Sequence, residues 1–216
     1  MQAFRAAARN RALLWETDLR FTSDGWMVLM HDTTLSRTTN CIGYVAHRTA
    51  RSLSRNCRLD NGQRIPSLGS FLAEAKHQGA TVLLELKTEM TRARRSLLLN
   101  RIAAAGMRRQ ILVMSFNAEA VRLIASEPVT SLRVPTMMLS GTGPDAATAK
   151  RWGRSVGLHY TQASRAKVAE YHAAGLKVYV WTPNTRSDID SARAAGVDVV
   201  ITDLAAAYCR SRTVCR

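Results

Sequence analysis

Thr81-Val82-Leu83-Leu84-Glu85-Leu86-Lys87 is an apolar strand-like run that admits charge only towards its end. Side chains of a strand alternate between its two faces, so Glu85 and Lys87 share one face while Val82, Leu84 and Leu86 share the other. Charge on the interior face of a buried strand is costly unless it is paired or has a task. A structural ion pair between Glu85 and Lys87 answers that requirement as well as a functional site does. The segment around Trp15-Glu16-Thr17-Asp18-Leu19 repeats the pattern, with Glu16 and Asp18 on one face and Trp15, Thr17 and Leu19 on the other. Taken alone, a Glu-x-Asp pair of this kind usually marks a surface strand.

Outward from these two runs, strand-like segments fall at 14–20, 26–31, 81–87, 110–116, 135–139, 157–161, 176–182 and 198–202. Helical patterns lie between them at 68–78, 92–105, 118–126, 146–156, 164–174 and 187–195, with Gly79, Gly106, Gly175 and Gly196 where helix ends belong. Ser23-Asp24-Gly25 signals a hairpin joining the first two strands. The remaining alternation predicts right-handed βα units and a mostly parallel sheet, an α/β fold of the TIM (β/α)8 barrel type. Counting the hairpin as one barrel strand leaves seven, and the helical pattern at 2–9 has no strand before it. The expected barrel therefore lacks its first strand. Barrel sites gather at the C-terminal ends of the strands. Glu16, Asp18 and Glu85 converging there would make an all-oxygen site suited to a divalent metal, Ca2+ or Mg2+.

The chain has 216 residues, with 46% hydrophobic and 22% charged residues, which fits one domain over 1–216 with an insertion loop at about 33–66. That composition excludes a disordered chain and a disulfide-dominated scaffold, and no uncharged apolar run is long enough to span a membrane. Arginine supplies 26 of the 31 basic residues, and the net charge is +15. Such a surface attracts phosphates, anionic lipids or nucleic acid at low salt. The densest patch, 92–109, holds six Arg and no acid. Leu97, Leu98, Ile102 and Ala105 recur there near helical spacing, and no aromatic residue interleaves with the patch. A solvated helix face is therefore expected rather than a specific nucleic-acid site.

Cys41, Cys57, Cys209 and Cys215 form no CxxC pair and have no histidine at zinc spacing. They fall into two local pairs, Cys41 with Cys57 and Cys209 with Cys215. Disulfides there would suit an extracytoplasmic parent protein, and four reduced thiols are the equal alternative. The opening residues lack the apolar segment of a signal peptide, so no export signal is expected within this chain.

The joint order of these pieces is more specific than any one of them. Glu16-x-Asp18, the Asp24-Gly25 turn, the apolar strand into His31-Asp32, and Arg37-Thr38-Thr39-Asn40 resemble the glycerophosphodiester phosphodiesterase family. The resemblance continues through Arg64-Ile65-Pro66-Ser67-Leu68, Leu84-Glu85-Leu86-Lys87, Val113-Met114-Ser115-Phe116, Val180-Trp181-Thr182-Pro183-Asn184 and Thr202-Asp203. It implies metal-dependent hydrolysis of glycerophosphodiesters to glycerol 3-phosphate and an alcohol, in lipid and glycerol metabolism. By motif, Glu16, Asp18 and Glu85 look like metal ligands and His31 like one of two catalytic histidines. Lys87 looks like a phosphate or substrate contact, and Trp181 like the wall that packs the glycerol moiety. The family's opening His-Arg-Gly motif, which carries the second histidine, has no counterpart here. Ala46-His47-Arg48 resembles it superficially but lies in the insertion. The chain as written is expected to be impaired. An inactive barrel relative that binds phosphates, or a basic nucleic-acid-binding protein, are the competing readings.

Overall fold

A computed structural model describes residues 1–205 and 207. The elements run α1 (Gln2–Arg9), β1 (Leu14–Phe21), β2 (Met27–Leu29), α2 (Ala50–Asn56), α3 (Leu68–Gln78), β3 (Thr81–Leu86), α4 (Arg92–Ala104) and β4 (Ile111–Ser115). Then follow α5 (Ala118–Ala125), β5 (Thr136–Ser140), α6 (Ala146–Lys150), β6 (Ser155–His159), α7 (Arg165–Ala173), β7 (Lys177–Trp181), α8 (Arg186–Ala194) and β8 (Val199–Val200). All eight strands form one sheet in the order β2-β1-β3-β4-β5-β6-β7-β8. Among the named strands of the described residues, only the β1–β2 hairpin pairs antiparallel; the other strands pair in parallel.

Sequential strand order with helices returning over one face is barrel-type winding, and it curls the sheet around its other face. Alternation assigns the two faces. Val82, Leu84, Leu86, Ile111 and Val113 join Trp15 and Leu19 in an outer core with Leu98, Leu99 and Ile102 of α4. Val156, Leu158, Val178 and Val180 pack likewise on Val168 and Tyr171 of α7. The inner face carries Leu83, Leu112, Met114, Met137 and Leu139, with Tyr179, Trp181 and Ile201 against them. The sheet does not close among the described residues, where β8 pairs with β7 alone. The expectation of an α/β sheet wound as a barrel is met in this curled, open form.

Each helix from α3 to α8 starts on a side chain that accepts a backbone N–H of its own first turn. The caps are Ser67, Thr91, Asn117, Asp145, Ser164 and Thr185. Such caps satisfy donors that a helix start leaves unpaired, and they fix where each strand hands over to its helix.

Four expectations need correction. The helix expected over 146–156 ends at Lys150, and 155–156 belong to β6. Gly153 sits at φ 144°, outside helical geometry, and a Cβ there would meet the Thr136 carbonyl oxygen at 2.5 Å. In α4, Leu98, Leu99 and Ile102 face the sheet, whereas Leu97 is half exposed beside Gly25 of the hairpin. The arginines there are not simply solvated. Arg94 lies over Phe21 (5.1 Å), Arg101 over Trp26 (5.6 Å), and Arg95 pairs with buried Glu127 (3.1 Å). The insertion is not a plain loop: it holds α2 and a 3-10 turn at Val45–His47. Its apolar cluster, Leu35, Val45 and Leu53 under Val28 and Met30, is closed by a Cys41–Cys57 disulfide. Cys209 and Cys215 lie outside the described residues. No helix among the described residues is long and apolar enough to cross a membrane.

Gly157 stands in register between Leu139 and Tyr179 on the inner face. A Cβ there would lie 2.4 Å from Leu139 Cδ2 and 3.4 Å from Met137 Cε. Both residues are buried, so relief needs concerted repacking. Gly157→Ala is expected to lower stability by about 1–3 kcal/mol, the usual cost of overpacking, read by denaturant unfolding.

Candidate active site

The site follows from strand register. Pairing of β1 with β3 sets Glu16 beside Leu83 and Asp18 beside Glu85, so three inner-face carboxylates meet near the C-terminal ends of adjacent strands. Their oxygens lie within 4.8 Å of one another. Lys87, just past β3, places Nζ 2.8 Å from Glu85 and 3.5 Å from Asp18. One ammonium does not balance three carboxylates. Burial and the neighbouring Asp18, Glu85 and Asp203 charges push the Glu16 carboxyl up from 4.5 to about 8. Burial also raises Glu85, opposed by its hydrogen bond from Lys87. The Glu85–Lys87 ion pair is therefore present, and it lies inside a cluster of three carboxylates.

These groups line a cavity of about 250 Å3 together with His31, Phe116, Trp181 and Thr182. Its far wall is aromatic: the Trp181 ring meets Phe116 edge-on at 5.1 Å and His159 at 5.0 Å. The Trp181 indole N–H is buried without an acceptor among the described residues. All six residues singled out from the sequence, Glu16, Asp18, His31, Glu85, Lys87 and Trp181, thus face one cavity. His47 does not. It lies on the insertion, its ring 5.2 Å from that of Tyr44, and lines a neighbouring hollow.

His31 is no core histidine, since its side chain is 61% exposed. Its Nδ1 lies 2.8 Å from Asp32 Oδ1, and Asp32 accepts from Arg37 Nε (2.5 Å) and Nη2 (3.0 Å). Those two partners, Arg37 first, hold the Asp32 carboxyl well below the usual carboxylate range. Asp32 is therefore placed to orient the His31 ring.

Sequence reasoning missed Arg20. It continues the inner face of β1 two residues past Asp18 and donates to two backbone carbonyls: His31 (Nε 3.0 Å, Nη2 2.6 Å) and Lys87 (Nη1 2.8 Å). One guanidinium thus ties the two chain segments that carry His31 and Lys87. The alternation Glu16, Asp18, Arg20 was available as a signal, but its targets are backbone atoms that no motif displays. Phe116 stood inside a quoted motif, yet its contact with Trp181 arises only when β4 and β7 face each other across the curl. His159, at the end of β6, is half-buried against Trp181.

Comparison with known proteins follows the same lines. The model of the glycerophosphoryl diester phosphodiesterase family matches residues 1–207. The Bacillus subtilis protein YhdW is 27% identical over 216 residues, 93% of this chain and 86% of YhdW. Human glycerophosphodiester phosphodiesterase 1 is 31% identical over 154 residues, 66% of this chain; that stretch is 46% of the human protein. An Oleispira antarctica phosphodiesterase, solved in complex with the product sn-glycerol-3-phosphate, superposes with a TM-score of 0.79 at 22% identity, covering 94% of this chain and 86% of that one.

The Glu16 shift has a measurable consequence. Between pH 4.5 and about 8 the folded protein keeps a proton that the unfolded carboxyl has released. Stability must therefore fall as pH rises through that window when no divalent cation is present. Melting in chelator at pH 6 and pH 8.5 should show this loss for the wild type, and Glu16→Gln should diminish it. An equal loss in the variant would refute the assignment.

Proposed function

Because the chain belongs to the glycerophosphoryl diester phosphodiesterase family, we propose that it hydrolyses glycerophosphodiesters to glycerol 3-phosphate and an alcohol, as one catalytic domain. The observation that carries this reading is the meeting of three carboxylates, a lysine and a carboxylate-oriented histidine in one cavity. The product-bound Oleispira relative supports glycerol 3-phosphate as the half that the aromatic wall receives.

The donor set fits a hard divalent cation. It is all oxygen, its members converge within 4.8 Å, and burial together with the neighbouring carboxylates leaves Glu16 reluctant to ionise until positive charge arrives. Bound by Glu16, Asp18 and Glu85, Ca2+ or Mg2+ would offset charge on the phosphoryl oxygens and lower the pKa of a coordinated hydroxyl. Lys87 supplies a second positive contact for the phosphate, held ready by Glu85 and Asp18. With Asp32 accepting from Nδ1–H, the neutral His31 ring keeps its lone pair on Nε2. That nitrogen takes a proton from one oxygen of the reacting diester or, once charged, returns one to another. Arg37 keeps Asp32 anionic, so the dyad holds its orientation through the cycle. Trp181 and Phe116 shield one side of the cavity from water and pack the glycerol carbons. The Cys41–Cys57 disulfide supports an oxidising, extracytoplasmic setting for this chemistry.

Hydrolysis of glycerophosphocholine with Ca2+, with Mg2+ and with chelator tests the proposal. Turnover should require a divalent cation, and His31→Ala should cost about 10²–10⁴ in rate, the usual worth of one proton-transfer group. Activity that survives both chelator and His31→Ala would rule the mechanism out, and phosphate binding without turnover would identify an inactive relative.

A further inference from the structure

Resting on the phosphodiesterase reading above, we propose that a second cavity beside the carboxylate cluster seats the alcohol half of the diester and selects a polyhydroxyl alcohol over a cationic amino alcohol. This hollow is also about 250 Å3. Lys87 belongs to the walls of both cavities, so the two sites adjoin through the residue assigned to the phosphate. Arg20 stands in the second wall, and its hydrogen bonds to the His31 and Lys87 carbonyls set the second cavity relative to the first. A diester whose phosphate lies at Lys87 with its glycerol towards Trp181 has its remaining ester oxygen to direct into this space.

The lining defines the chemistry. Thr33, Tyr44 and His47 come from the insertion, and Glu89 from the loop after β3. Backbone bonds hold the insertion residues in place: Val45 N–H donates to the Thr33 carbonyl (3.0 Å) and Leu35 N–H to the Gly43 carbonyl (2.9 Å). Val45 beneath them is buried, and the Cys41–Cys57 disulfide closes the same cluster. The site is therefore preorganised and not a mobile flap. Tyr44, at 53% exposure, presents a ring beside that of His47, a surface for the C–H bonds of a polyol. The Thr33 and Tyr44 hydroxyls and the Glu89 carboxylate offer donors and acceptors for neighbouring alcohol groups. A site built to hydrogen-bond hydroxyls discriminates against an alcohol that lacks them, because its polar groups are then left unpaired.

The test compares kcat/KM for glycerophosphoglycerol and glycerophosphocholine. The wild type should favour the polyol diester by about tenfold or more. Tyr44→Ala and Glu89→Gln should each collapse that ratio towards parity. A merely structural defect lowers both substrates together, so an unchanged ratio overturns the proposal, as does a wild type that prefers glycerophosphocholine. Independently of turnover, glycerol titrated in chelator should move the His47 ring resonances in NMR spectra saturably, and their failure to move also overturns it. Failure to hydrolyse either diester would sink the enzymatic reading instead, while the His47 titration still decides the subsite.

Discussion

Repulsion among three carboxylates on the inner face of two neighbouring strands is the constraint around which this molecule is arranged. Glu16, Asp18 and Glu85 are brought together by strand register, and a one-residue slip of either strand would turn its acids into the outer apolar core. That outer core is what makes the slip prohibitive: Trp15, Leu19, Val82, Leu84 and Leu86 are all buried beneath the helices. Stability on one face thus enforces an unfavourable concentration of charge on the other. Lys87 relieves part of it, and burial together with the remaining repulsion raises the Glu16 carboxyl.

The surrounding parts hold the groups that work on this charge. Inner-face leucines and methionines fill the curl below the site, with Gly157 leaving the space that Leu139 and Met137 occupy. Above it, Arg20 spends its guanidinium on backbone carbonyls and so couples the segments of His31 and Lys87. The insertion is stapled by a disulfide around its own small core and contributes Arg37, which keeps Asp32 charged against His31. Much of the arginine excess has structural work: Arg94 and Arg101 cover aromatic rings, and Arg95 neutralises Glu127. The basic composition therefore reflects packing over aromatic and acidic groups as well as a surface attractive to anions.

Legibility varied with the range of the interaction. Strands β1 and β3 and the face shared by Glu85 and Lys87 were readable because period-two alternation is local. The end of α6 was not, because it depends on Gly153 approaching the Thr136 carbonyl, and the burial of Leu99 in place of Leu97 depends on how α4 rolls onto the sheet. The pairing of Asp32 with Arg37 was not legible, since Arg37 lies across a loop whose path the sequence does not reveal. His47 resembled a motif fragment by its neighbours alone, its place in the insertion already set it apart, and the structure puts it beside Tyr44 and outside the carboxylate cavity.

Taken by itself, the amino-acid sequence determined the alternation of strands and helices, the faces of the charged strand residues and the six side chains that converge. The first two follow from local periodicity, and the six side chains follow from the resemblance of the ordered motifs to the family. Tertiary structure alone decided which groups partner them. Arg20 on two carbonyls, Phe116 against Trp181, Asp203 acting on Glu16 and a second cavity sharing Lys87 all join residues distant in sequence. Such contacts exist only after parallel pairing has curled the sheet and carried the ends of separate strands to one rim, because no local propensity encodes a distance across that rim.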